Sequence, residues 1–265
     1  MRKSIISFFV QYLKAKPITY MYWLVILGVV IFYVSTLRIG HGWGGDFSQY
    51  IHHAKNLVEG KSYDDILYIT NRFAFVSPAT YPPVLPLILA PIYAIWGINL
   101  VAMKLALISF FIFSLVLLQK VFEPRLPLYL SLVLVLIVSL NPFFWDFKDQ
   151  VLSEFPYLFF SLVSLYLMQC NDTKQQLNIA FVLGVFFYLT FGTREIGIVL
   201  PMALICYEIW HYRKLRLCTL LAISLFTVLV CIQLILMQFE SLYPDMSLEL
   251  SRINEGVIDA PTPFS

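Results

Sequence analysis

Ile18 to Leu37 is a run of residues without one charged side chain. An α-helix rises 1.5 Å per residue, so about 20 apolar residues cross the hydrocarbon core of a bilayer. Leu100–Leu118 repeats the pattern with one lysine, Lys104, near its start; Leu126–Trp145 and Leu215–Met237 repeat it again. Three shorter apolar runs lie among them, Phe155–Met168, Leu177–Phe191 and Ile196–Trp210. Each reaches a full span by borrowing polar flanking residues. The expectation is an all-α integral membrane protein, one polytopic domain over residues 1–265 with about seven transmembrane helices. Composition agrees. The chain is 60% hydrophobic and 13% charged, where a soluble domain carries roughly 25% charged residues. The net charge of +2 offers no basic excess for a nucleic-acid partner. Cys170, Cys206, Cys218 and Cys231 lie in or beside apolar runs at no metal-like spacing and read as small packing residues.

Basic residues near the span ends set the direction. Arg2, Lys3, Lys14 and Lys16 precede the first span, and Lys120 and Arg125 follow the second. Lys174 follows the fourth; Arg213, Lys214 and Arg216 follow the sixth. All fall on one side if the N-terminus is cytoplasmic. The alternate loops hold Asp46, Asp64, Asp65, Asp146, Asp149, Glu154 and Glu195. This places 38–99 and 238–265 outside. The first apolar run is longer than a signal-peptide core, and Arg38-Ile39-Gly40-His41 follows it rather than small residues, so it reads as an uncleaved signal anchor.

The segment 38–99 holds structure of its own. Gly40, Gly42, Gly44 and Gly45 make a flexible lead-in. Asp46 or Ser48 then suits a helix N-cap. Phe47, Tyr50, Ile51, Ala54, Leu57 and Val58 form one apolar stripe at helical spacing, ended by Gly60. This predicts an interfacial helix over 46–59. A second apolar stretch, 82–96, is short and broken by Pro86 and Pro91. A crossing there would reverse every later loop, so it is expected as an external juxtamembrane or re-entrant helix beside a cavity.

Several short patterns occur in order along the chain. They are Gly45-Asp46-Phe47-Ser48-Gln49-Tyr50, Ala54-Lys55-Asn56-Leu57-Val58-Glu59-Gly60, Tyr81-Pro82-Pro83-Val84-Leu85-Pro86 and Ile95-Trp96-Gly97. Ser153-Glu154-Phe155-Pro156-Tyr157 and Thr193-Arg194-Glu195-Ile196-Gly197 follow. No single pattern is specific. Their order and side resemble the membrane-embedded GT-C glycosyltransferases, which include the protein O-mannosyltransferases and the lipid A aminoarabinose transferases. The resemblance covers nearly the whole chain. It implies a hexosyl- or pentosyltransferase of the cell envelope, in a bacterial inner membrane, that takes a sugar from a polyprenyl-phosphate carrier. Membrane lipid and an acceptor (protein, lipid or glycan) complete the expected partners. Members of the family are usually longer, so a fragment or minimal relative is expected. The rival expectation is a non-catalytic membrane protein, such as a transporter or assembly subunit, or an inactive truncated homologue.

The resemblance also assigns roles. Asp46 stands where the family has an acid acting as general base toward the acceptor; by its residue type alone it is equally a helix cap. Glu154 stands where a second family acid shapes the site or binds a divalent metal; otherwise it is a solvated interfacial carboxylate. Arg194 stands where the family has Lys or Arg, and its planar fork suits the carrier phosphate; the plainer reading is a snorkelling side chain. Arg72 and Tyr81 are weaker candidates for the same phosphate pocket. His52 and His53 are adjacent and point about 100° apart on a helix, which does not suit one metal. Asp146 and Asp149 read as outer-loop charges, and Lys104 and Glu208 as snorkelling residues near span ends.

Overall fold

The computed structural model describes residues 5–40, 46–61, 63, 81–174 and 176–236, and all regular structure among them is helical. The long first helix is α1, Ile5–Ser35. Two short helices follow, α2 over Phe47–Glu59 and α3 over Val84–Trp96. Then come α4 (Leu100–Phe122), α5 (Leu128–Ser139), α6 (Pro142–Phe147) and α7 (Glu154–Lys174). The chain continues as α8 (Leu177–Phe191), a 3₁₀ turn over Glu195–Ile198, α9 (Val199–Tyr212) and α10 (Leu217–Leu236).

Two of these, Leu100–Phe122 and Leu217–Ile235, are long and apolar enough to cross a membrane. The stretch 126–145, expected as one span, is two helices. Pro142 has no N–H to continue α5 and instead takes the first turn of α6, where Asn141 caps by accepting the Phe143 N–H at 2.9 Å. What remains of α5 is 12 residues, about 18 Å. The sixth expected span also shifts. The run at 196–210 begins with the 3₁₀ turn, and its α-helix starts only at Val199.

Seven of the helices run alternately up and down. The C-terminal end of α1 meets that of α5, where the Tyr33 hydroxyl donates to the Ser139 carbonyl at 2.9 Å. The same end of the bundle holds the starts of α4 and α7 and the close of α8, joined by contacts at Lys104, Glu154 and Arg194. At the opposite end the Gln169 amide, late in α7, donates to the Val121 carbonyl of α4 at 3.2 Å. There Arg216, just before α10, pairs with Glu208 of α9 and Asp172 of α7. Helix α3 has both its ends at the first face: the Val84 N–H donates to the Gly192 carbonyl at 2.9 Å, and the chain then turns through Gly97 into α4.

Packing divides into two apolar groups. Tyr33, Phe111 and Phe155 stack in series, at 5.1 and 4.7 Å between ring centroids, and join α1, α4 and α7. Leu183, Phe187, Leu204, Ala222 and Phe226 join α8, α9 and α10. Between α8 and α10 the backbones nearly touch. A Cβ at Gly184 would lie 2.6 Å from the Ala222 carbonyl, so the smallest residue sets this approach. Large apolar side chains also cover the outside: Leu24 is 66% exposed, Ile235 75% and Trp210 79%.

Candidate functional site

The first face of the bundle gathers four segments that are far apart in sequence. Asp46 stands at the N-cap position of α2, yet its carboxylate makes no capping bond; only its backbone carbonyl accepts, from Gln49 and Tyr50. The capping role that Asp performs well is therefore carried by the main chain. One turn later, Tyr50 is buried and directs its hydroxyl to Ser153 Oγ at 3.4 Å. Ser153 immediately precedes Glu154, the first residue of α7.

Glu154 and Arg194 are paired. Arg194 Nη1 donates to Glu154 Oε1 at 2.8 Å. Arg194 follows α8 in extended conformation, ahead of the 3₁₀ turn, which aims its side chain back across the end of α7. The two side chains are 44% and 25% exposed. An ion pair that open to water contributes between nothing and about 1 kcal/mol. Against this, Glu154 Oε2 is buried and has no hydrogen-bond partner, which costs about 1–3 kcal/mol. Stability alone does not account for this pair.

Tyr81 completes the cluster. Its ring lies 4.6 Å from that of Tyr50 between centroids. Its backbone N–H donates to His53 Nε2 at 3.3 Å, so Nε2 is the accepting nitrogen. The other nitrogen, Nδ1, then carries the hydrogen and donates to the Tyr63 carbonyl at 2.7 Å. His53 is buried and stacked on Tyr63, and Tyr63 in turn donates its hydroxyl to the Tyr81 carbonyl at 2.7 Å. His53 thus holds Tyr63 and Tyr81 together, a role with no local signal around it. Among the described residues no group of three or more His, Cys, Asp and Glu converges as metal ligands. Arg72 lies outside the described residues.

Tyr50 registers the field of the whole cluster. Burial pushes its phenol up to about 12, with the Ser153 hydrogen bond opposing. The Asp46 and Glu154 carboxylates add to the rise, and the Arg194 cation reduces it. The three charged residues singled out from the sequence therefore all act on the field at one tyrosine.

Gly192 makes this assembly possible. It accepts the Val84 N–H, and a Cβ on it would lie 2.7 Å from Val84 Cγ2. Val84 is β-branched and stiff at χ1, so it cannot swing away. Any larger residue here would push α3, and Tyr81 before it, off the Arg194 turn.

A second polar group at the same face contradicts the expectations for Lys104 and Asp149. Lys104 does not snorkel: it is fully buried and donates to the Arg38 and Gly40 carbonyls at 3.1 and 2.6 Å. Asp149 is not a loose surface charge. Its Oδ2 pairs with buried Lys148 at 2.6 Å, and its Oδ1 accepts the Arg38 N–H at 2.7 Å. Lys148 also donates to the Thr36 carbonyl at 2.7 Å and sits 4.9 Å from the centroid of the Trp145 ring. These bonds take up carbonyls at and beyond the end of α1, where the helix leaves them without partners. They fix the chain just ahead of the segment that leads to Asp46.

Glu208, also expected to snorkel, is fully buried at the opposite end. Its carboxylate accepts from the Arg216 guanidinium at 2.6 Å, the Arg216 N–H at 2.9 Å and the Thr219 hydroxyl at 2.5 Å. Charge is therefore held at both ends of the bundle, not at one rim alone. This network is fully bonded and ties α7, α9 and α10 together. Of the four cysteines, Cys218 is buried, Cys170 half-buried, and Cys206 and Cys231 exposed; none of them is in a disulfide.

Comparison of the chain with protein-family models, with curated proteins and with solved structures finds no match.

Proposed function

We propose that the chain is a multi-pass membrane protein with seven crossings and a cytoplasmic N-terminus, which transfers a sugar from a polyprenyl-phosphate carrier to an acceptor at the outer face. The observation that carries this reading is the cluster at the first face: Asp46 one turn ahead of Tyr50, Tyr81 packed on Tyr50, and Glu154, next to the Ser153 that Tyr50 bonds, paired with Arg194. The exposed apolar side chains of α1, α9 and α10 support a lipid surround, since a monomer in water rarely exposes large contiguous apolar patches. The short helices α5 and α8, of 12 and 15 residues, fit a locally thinned bilayer or flanking residues drawn into the interface. The alternation of helices α1, α4, α5, α7, α8, α9 and α10 supports one crossing for each.

In this reading the carrier tail lies among the helices and its phosphate meets Arg194. One guanidinium nitrogen is engaged with Glu154, which leaves further N–H groups for phosphate oxygens. Asp46 faces the acceptor. As the acceptor oxygen attacks the anomeric carbon from the side opposite the phosphate, its proton passes to the Asp46 carboxylate. The bond from the anomeric carbon to the phosphate oxygen breaks, and the carrier leaves as polyprenyl phosphate with inversion. Arg194 stabilises the charge that develops on it. A transporter would place its ionisable groups near mid-membrane; here Glu154–Arg194, Lys148–Asp149 and Glu208–Arg216 all lie at helix ends.

The test is purified protein in nanodiscs, a radiolabelled undecaprenyl-phosphate hexose, and solubilised envelope membranes from a deletion strain as acceptor source. Protein-dependent transfer of label is the expected result. Binding without transfer would point to an inactive relative, and absence of both would overturn the reading. Orientation is checked in intact cells lacking the native cysteines: an impermeant thiol reagent should label Lys61→Cys and not Lys214→Cys, both at exposed positions. The reverse pattern would place the site on the wrong side.

A further inference from the structure

Two residues that contact the Gly192–Arg194 turn, Glu154 through the Arg194 side chain and Gln233 against Gly192, each carry a buried oxygen without a hydrogen-bond donor. One is Glu154 Oε2, on the carboxylate that Arg194 holds by its other oxygen. The second belongs to Gln233, near the end of α10. Gln233 is 8% exposed, and its amide oxygen is buried with no partner. That oxygen faces the turn, for a Cβ at Gly192 would lie 3.6 Å from it. Native folds leave few buried acceptors unbonded, and each one that persists calls for a reason. Two on residues that contact one turn, beside a guanidinium, point to a ligand with matching groups. It brings an anion for Arg194 and O–H or N–H donors for two oxygens.

We propose that Gln233 Oε1 and Glu154 Oε2 receive hydroxyl hydrogens of the transferred sugar, which makes Gln233 a specificity-determining residue. This rests on the sugar-transfer reading and adds a consequence to it. A carrier that has given up its sugar still offers phosphate to Arg194 but no hydroxyls to the two oxygens. The site then binds loaded carrier more tightly than spent carrier, which favours release after transfer.

The test compares two probes, farnesyl phosphate and farnesyl phosphate bearing a hexose, by equilibrium binding to the full chain in nanodiscs. Wild type should favour the hexose probe by about tenfold or more, the scale set by hydrogen bonds of this kind. Gln233→Leu and Gln233→Met both remove the acceptor while keeping an apolar fit. Each should bring the ratio toward one and leave the affinity for bare farnesyl phosphate unchanged. Neither should melt below wild type without ligand, because each removes an unbonded buried oxygen. An unchanged ratio in both variants would overturn the role of Gln233, while binding of both probes that depends on Arg194 would leave the sugar-transfer reading standing. If wild type binds neither probe, both proposals fall.

Discussion

Arg194 donates to Glu154 at 2.8 Å across the ends of α8 and α7, joining residues 40 positions apart. The bond orients the guanidinium, and Glu154 is by this geometry a positioning residue for Arg194. Arg194→Ala should reduce affinity for farnesyl phosphate by about tenfold or more, the loss expected for a charged hydrogen bond to phosphate. Arg194→Lys should restore part of it, since the charge returns without the fork. Glu154→Gln should alter affinity for bare farnesyl phosphate, which offers Oε2 no hydroxyl, less than Arg194→Ala and should do little in the Arg194→Ala background. Additive effects in the double variant would separate the two residues.

The latch around Asp149 predicts a stability effect with no direct effect on chemistry. Lys148 is buried and its partner Asp149 nearly so. Removing one member of a buried pair strands the other, at about 3–5 kcal/mol. Asp149→Ala should therefore lower the thermal midpoint in detergent well below that of Asp146→Ala, since Asp146 bonds only the Gln150 amide at the surface. Equal midpoints for the two variants would show that the buried network carries no weight.

Tyr50 gives the site a pH signature. Burial pushes its phenol up to about 12 in the fold, against the ordinary value of 10 in the unfolded chain. Below pH 10 both states keep the proton and the stability from Tyr50 is complete. Between 10 and about 12 the unfolded chain ionises first, so that stability is lost as pH rises. Tyr50→Phe should flatten this part of the unfolding curve in detergent between pH 9.5 and 11.5 relative to wild type. Parallel curves would mean that Tyr50 does not stay protonated in the fold.

The helices were legible where periodicity or an apolar run carried them. The stripe from Phe47 to Val58 gave α2, and Gly60 ends it in the left-handed conformation, φ 64°. The uncharged or nearly uncharged runs gave α4, α8 and α10. The break at Asn141-Pro142 was legible in principle, because proline at a helix start follows from its missing N–H, but the apolar run on both sides concealed it. The buried roles of Lys104, Asp149 and Glu208 had no local sign. Each depends on a carbonyl or a charge brought near by the fold, such as Arg38 to Asp149, 111 positions apart. The same holds for the tyrosine contacts of His53 and for the place of Gln233. A lone histidine on an amphipathic helix and a lone glutamine in an apolar one show nothing until their neighbours are known.

In the proposed transfer, Asp46 accepts the proton of the acceptor. Asp46 occupies a cap position without capping through its side chain, and it contributes to the field at Tyr50 together with Glu154 and Arg194. Asp46→Asn keeps the size and the hydrogen-bonding shape but removes the base. The most direct measurement is the initial rate of hexose transfer from radiolabelled undecaprenyl-phosphate hexose by purified wild type and Asp46→Asn at matched protein level and melting temperature. With Asp46 as the base, the rate should fall by roughly 10²–10⁴-fold while binding of the donor stays unchanged. Transfer within about twofold of wild type, by a variant that folds and binds donor equally well, would contradict it.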